Sequence, residues 1–127
     1  MKFLDISEHN SITNYSEITN SNLGGIILKA TEGTTFIDRT LEMKYHNLNG
    51  RVKLGFYHML TALSEPETQA ENFWNNIKDK SFDIIPVIDV EYDNLASKAE
   101  NFTERFISHF QELSGYKCMI YSGLYYC

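Results

Sequence analysis

The chain has 127 residues, of which 43% are hydrophobic and 22% charged, with a formal net charge of −6. That length holds one domain around a single core, and the composition is that of an ordinary soluble protein. The acidic balance, without a long Lys/Arg cluster, argues against nucleic acid and anionic membrane surfaces as partners.

In chain order, residues 2–5 read as a short strand and 15–20 as a short helix. Residues 24–29 form an apolar strand opened by Gly24 and Gly25. Asp38 is expected to cap a helix running to Asn49, with Leu41, Tyr45 and Leu48 on one face and Gly50 just past its end. A strand over 53–58 follows. Pro66 then opens a helix whose Ala70, Phe73, Trp74 and Ile77 recur at helical spacing; Trp74 is expected in the core. Residues 82–91 form the next strand, with Ile85, Val87 and Ile88 buried. A long helix over 95–113 turns Ala99, Phe102, Phe106, Phe110 and Leu113 inward and closes at Gly115. The last strand covers 117–122.

Met1-Lys2-Phe3-Leu4 passes directly into Asp5 without an apolar h-region, so no secretory signal peptide is expected. No segment is apolar over transmembrane length. Cys118 and Cys127 fit no zinc or redox spacing and read as free thiols in a reducing compartment. No metal or cofactor is expected.

Strands alternating with helices indicate βα units and a parallel sheet. In a (β/α) barrel the chemistry gathers at the C-terminal strand ends. Asp5 ends the first predicted strand, Lys29 to Glu32 the second, Tyr57 and His58 the third, Asp89 and Glu91 the fourth and Tyr121 the fifth. Five successive strands that each deliver a polar or aromatic group to one end point to a catalytic cleft. Within it, Asp89 and Glu91 stand two positions apart on one strand face, with Cα atoms about 6.6 Å apart. Carboxyls that close in a partly dry site cannot both ionise freely, and one acquires a raised pKa.

Each of these residues also has a plainer reading. Lys29 and Glu32 could pair as a surface bridge of little energetic weight. His58 could be a satisfied core histidine, although its strand-end position favours the cleft. Tyr121 could pack in the core or stack on a sugar ring. His9 and Asn10 read as turn-capping residues, and His46 and His109, on helices, carry no signal.

Asp5-Ile6-Ser7-Glu8-His9-Asn10, Lys29-Ala30-Thr31-Glu32-Gly33, Gly55-Phe56-Tyr57-His58, Pro86-Val87-Ile88-Asp89-Val90-Glu91 and Ile120-Tyr121-Ser122 resemble, in order, the strand-end motifs of the glycoside hydrolase family 25 lysozymes. These are N-acetylmuramidases common in bacteria and phage endolysins. The resemblance implies an irregular, flattened (β/α) barrel that cuts the β-1,4 bond between N-acetylmuramic acid and N-acetylglucosamine in peptidoglycan. It makes Glu91 the general acid/base, its carboxyl raised by Asp89 and partial burial, with Asp89 and Asp5 as supporting carboxylates. Lys29, Glu32, Tyr57, His58 and Tyr121 become candidate substrate-binding residues. An Asp-x-Glu pair on one face favours attack by the sugar's own 2-acetamido oxygen over a covalent enzyme intermediate. Synthesis in the cytoplasm, with release to the wall through a holin-like pore or lysis, follows from the resemblance and the absent leader.

A closed barrel of this kind needs about 200 residues or more. Residues 1–127 are therefore expected to form the catalytic domain truncated after five or six strands, with the C-terminal part of the barrel missing. The last strand should then expose an apolar edge able to self-associate, and Phe102, Phe106 and Phe110 should lose part of their cover. Two other readings remain open on the residues. One is an inactive, truncated cell-wall-binding or regulatory fragment. The other is a different D-x-E β-N-acetylglycosaminidase of the chitinase kind.

Overall fold

A computed structural model describes residues 2–10, 23–91 and 95–122. The helix expected over 15–20 lies outside them. Strand β1 is Lys2–Ile6, β2 Leu23–Glu32, β3 Phe36–Ile37, β4 Leu54–Met59, β5 Val87–Val90 and β6 Met119–Ser122. Helix α1 is Leu41–Leu48, α2 Pro66–Ile77 and α3 Ala99–Ser114, the last preceded by a 3₁₀ turn over Ala96–Lys98. The sheet runs β1-β2-β4-β5-β6, with every neighbouring pair parallel. β3 folds back antiparallel onto the end of β2. The sheet curls into a half-barrel, as expected of a truncated (β/α) barrel.

Helices cover the convex face. Ala70, Phe73 and Ile77 of α2 and Phe102, Phe106 and Phe110 of α3 are buried against one another and against Ile26, Leu28, Phe56 and Ile88 of the sheet. The Phe73 and Phe110 rings stack with centroids 5.2 Å apart. The expected loss of cover on Phe102, Phe106 and Phe110 does not occur, because α2 and the sheet already enclose that face. Trp74 is half-buried beside this core, edge-on to Phe110. Leu113, expected to face inward, is exposed.

Several boundaries also differ from expectation. Helix α1 starts at Leu41, not after Asp38: the Asp38 carboxylate instead caps the preceding turn, accepting from the Thr40 N–H and hydroxyl. Helix α3 starts at Ala99, after the 3₁₀ turn, and closes as expected at Gly115, whose φ of +81° an L side chain rarely adopts. Strand β5 begins only at Val87. The segment before it is held across the start of β4, where the Asp83 and Ile84 N–H groups donate to the Leu54 carbonyl and Leu54 N–H donates to the Asp83 carboxylate. A Cβ on Gly55 would lie 2.8 Å from Ile84 Cβ, so only glycine allows that approach. Ile85, expected to be buried, is exposed as a result. At the far edge β6 pairs only with β5 among the described strands, and Met119, Ile120 and Tyr121 are exposed, as the truncation reading expected.

Candidate active site

In a parallel sheet, residues paired across strands point to the same face. The pairs Asp5–Ile27, Lys29–Tyr57, Tyr57–Val87, Met59–Asp89, Val87–Met119 and Asp89–Tyr121 therefore place one set of side chains on the concave face. Seven of them, Asp5, Ile27, Tyr57, Val87, Asp89, Met119 and Tyr121, line a cleft of about 120 Å³.

A one-residue irregularity in β2 shapes the next part of the site. Lys29 pairs with Tyr57 but Thr31 pairs with His58, so Ala30 is an extra residue on β2. In a regular strand, positions 29 and 32 would face opposite sides. The bulge reverses the alternation, and Lys29 Nζ reaches Glu32 Oε1 at 2.7 Å. Lys29 is itself buried, and its ammonium lies 5.1 Å from the Phe36 ring centroid.

Asp89 is 6% exposed and hydrogen-bonds Glu91, which sits one residue beyond the end of β5. Burial raises the Asp89 carboxyl to about 7, helped by the Glu91 hydrogen bond and by the Glu91 and Asp5 charges; the Lys29 charge opposes. The sequence pointed to a raised carboxyl at Glu91; in the structure it is Asp89, the strand residue driven into the sheet, whose carboxyl burial raises. Asp89 Oδ1 is a buried acceptor with no hydrogen-bond partner among the described residues. Burial, then the surrounding carboxylates with Asp5 foremost, holds the half-buried Tyr57 hydroxyl well above its ordinary pKa. It therefore stays an O–H donor among acids. Three acidic side chains, one retained proton, a cation and two tyrosines can protonate a leaving oxygen and steady a developing positive charge.

His58 does not join them. It is 0% exposed and stacks on Phe106 at 5.0 Å between centroids. His58 Nε2 lies 2.9 Å from Gln69 Oε1, an oxygen that also accepts from Thr61 N–H, so Nε2 carries the proton. Nδ1 then accepts from the Thr31 hydroxyl at 2.7 Å. Burial pushes its pKa down to about 4, so the ring is neutral. The expected cleft-lining role is corrected to that of a core histidine, because position 58 pairs with Thr31 on the helix side of the bulge.

One residue, Lys44, went unremarked in the sequence, and a second, Asp38, has a task beyond the expected helix cap. Lys44 is buried on α1, where its Nζ donates to the Ser7 carbonyl and, at 2.7 Å, to the Asn10 carbonyl. Asp38 Oδ2 accepts from the Glu8 N–H at 2.7 Å. Together they pin the loop that follows Asp5, whose internal bonds, Ser7 N–H to Asn10 Oδ1 and His9 N–H to Ser7 Oγ, bear out a capping role for Asn10. The signal for Lys44 was present: it falls between Leu41, Tyr45 and Leu48 on the inward stripe of α1. Among the described residues no group of three His, Cys, Asp or Glu side chains is arranged to hold a metal ion. No described helix is long and apolar enough to cross a membrane.

The sequence profile described as glycosyl hydrolases family 25 matches residues 4–127. An autolytic lysozyme of Clostridium acetobutylicum is 33% identical over 115 residues, covering 85% of this chain and 35% of the relative. A family 25 glycosyl hydrolase from Bacillus anthracis superposes with a TM-score of 0.83 at 28% identity, covering 96% of this chain and 60% of that one. A muramidase from Acremonium alcalophilum gives 0.81 at 26% identity, with 94% and 64% covered. The chain spans less than two thirds of each of these relatives.

Proposed function

The chain belongs to glycosyl hydrolase family 25, and from that premise we propose that its cleft is that of a muramidase, cutting the β-1,4 bond from N-acetylmuramic acid to N-acetylglucosamine in peptidoglycan. The observation that carries this reading is the buried Asp89, which lines the cleft with Asp5 and has Glu91 beside it at the end of β5. The pair retains one proton near neutral pH. Glu91, at the strand end, delivers it to the glycosidic oxygen as the bond to the anomeric carbon breaks. Asp89, left charged, accepts from the N–H of the sugar's 2-acetamido group through Oδ1 and steadies the acetamido oxygen as it attacks. The resulting oxazolinium ion is opened by water that Glu91 deprotonates, and the configuration is retained. Asp5 adds negative charge near the oxocarbenium-like centre. Lys29, Glu32, Tyr57 and Tyr121 hold the sugars.

Purified peptidoglycan is the substrate to test, with the chain and with its full reading frame, since the relatives are longer. Soluble fragments with new reducing ends on muramic acid are expected. Cleavage of chitin oligomers in preference to peptidoglycan would favour the chitinase-like alternative. Binding without cleavage by either form would favour a binding or regulatory module. The relevant place of action is the bacterial cell wall, reached after release from the cell.

The edge of β6 supports one further part of the reading. No described strand lies beyond it, and its backbone N–H and C=O groups, beside exposed Met119 and Ile120, are a template for strand addition. The 127-residue chain is therefore expected to self-associate. Sedimentation should show species heavier than the 14.7 kDa monomer, and Ile120→Lys should return them to monomer. A parent chain that stays monomeric at all concentrations would remove this part.

A further inference from the structure

Lys29 stands beside the cleft residue Tyr57 on the neighbouring strand, and its ion-pair partner Glu32 lines a second groove of about 260 Å³, between the β2–β3 hairpin and the loop from β4 to α2. Thr34, Thr35 and Phe36 form one wall, Thr61 and Leu63 the other. Phe36 is 40% and Leu63 93% exposed, so a ligand that covers them removes apolar surface from water.

Both walls are held rigidly from behind. On the hairpin side, Asn72 of α2 donates to the Gly33 carbonyl at 3.1 Å and the Phe36 carbonyl at 3.3 Å. Asp38 N–H donates to the Ala30 carbonyl. On the loop side, the buried Gln69 amide donates to the Thr61 and Ser64 carbonyls and accepts from Thr61 N–H, while His58 fixes the amide in turn. The exposed apolar groups therefore sit on a preformed surface, and a ligand that fills it does so without ordering a loop.

The chemistry narrows the ligand. Lys29 is the cation at this end, and it is paired with Glu32 and lies over the Phe36 ring, so it offers a phosphate or carboxylate no spare positive charge. What the groove offers is an aromatic ring, a branched aliphatic group, threonine hydroxyls and a half-exposed carboxylate. These match the apolar C–H face and the equatorial hydroxyls of a pyranose. We propose that the groove is a distal sugar subsite, in which Phe36 and Leu63 carry pyranose residues of the glycan strand beyond those held by the carboxylate cleft. This rests on the reading of the cleft as a glycan-cleaving site.

The test is a length series of N-acetylated peptidoglycan oligosaccharides, from disaccharide to hexasaccharide, titrated calorimetrically against the full chain. The parent should bind the hexasaccharide on the order of tenfold tighter than the disaccharide. Leu63→Ala should remove about five- to tenfold from hexasaccharide affinity and leave disaccharide affinity and melting temperature unchanged, while Phe36→Ala, whose ring also lies against Lys29, should lose about five- to tenfold more on the hexasaccharide than on the disaccharide. Phe36→Tyr, which keeps the ring, should restore the loss. Equal losses on both ligands, or an unchanged hexasaccharide affinity in Phe36→Ala, overturn the subsite while disaccharide binding keeps the cleft reading intact. A parent chain that binds neither sugar overturns the cleft reading, and the subsite with it.

Discussion

Glu91→Gln is expected to lower the rate of peptidoglycan cleavage by about 10²–10⁴, with little change in the melting temperature. The amide keeps the shape of the side chain and can still hydrogen-bond Asp89, so the end of β5 should not move. It cannot deliver a proton, and a sugar alkoxide is too poor a leaving group to depart without one. The deficit should therefore depend on the leaving group. A substrate with an activated aryl leaving group, which departs without protonation, should recover most of the loss. A Glu91→Gln variant that cleaves peptidoglycan at close to the parent rate would remove Glu91 as the acid. A variant equally slow on both substrates would move its role away from proton transfer.

Asp89→Asn is expected to do two opposite things. Cleavage should fall by about 10²–10³, because a neutral amide neither charges nor orients the acetamido group. Stability should rise, and the rise should depend on pH. The Asp89 carboxyl has its ordinary value near 3.8 in the unfolded chain and about 7 in the fold, chiefly through burial. Between those values the folded state holds a proton that the unfolded state has lost. The favourable contribution of the protonated side chain is thus complete below about pH 4, and it is lost as pH climbs through 7. Asparagine stays neutral throughout. The variant and parent should melt alike near pH 4.5. At pH 8 the variant should be more stable on the order of 2–4 kcal/mol, because each tenfold change in proton affinity between the two states is worth about 1.4 kcal/mol. Urea unfolding at the two pH values measures the difference. A variant less stable than the parent at pH 8 would show that the fold compensates the Asp89 charge, and would contradict a carboxyl that burial keeps protonated.

These two experiments separate properties that the sequence had placed on one residue. The Asp-x-Glu spacing made plain that two carboxyls share a face and that one is raised. It could not say which, because a raised carboxyl follows burial, and burial follows where β5 ends. That strand stops at Val90, so Asp89 is packed between β4 and β6 while Glu91 stands at the rim. The same limit explains His58. Its place at the end of β4 was legible, but its face was set by the extra residue Ala30 in the neighbouring strand. Lys29 and Glu32 owe their shared face to that bulge as well.

What the sequence by itself determined is local and periodic. The βα alternation, Pro66 opening α2, the Phe102, Phe106 and Phe110 stripe, Gly50 and Gly115 past their helices, and a polar group at each strand end all follow from spacing along one chain. Motif order over nearly the whole length carried the family. Only the tertiary structure decided which strand-end residues meet in the cleft, that burial raises the Asp89 carboxyl, and that Lys44 and Asp38 anchor the loop beside Asp5. It alone revealed a groove between the β2–β3 hairpin and the β4–α2 loop. The physical reason is one of range. Helix and strand periods are set within a few residues, whereas register, bulges and desolvation are set by a neighbour some thirty positions away in sequence, as Asp38 is from Glu8.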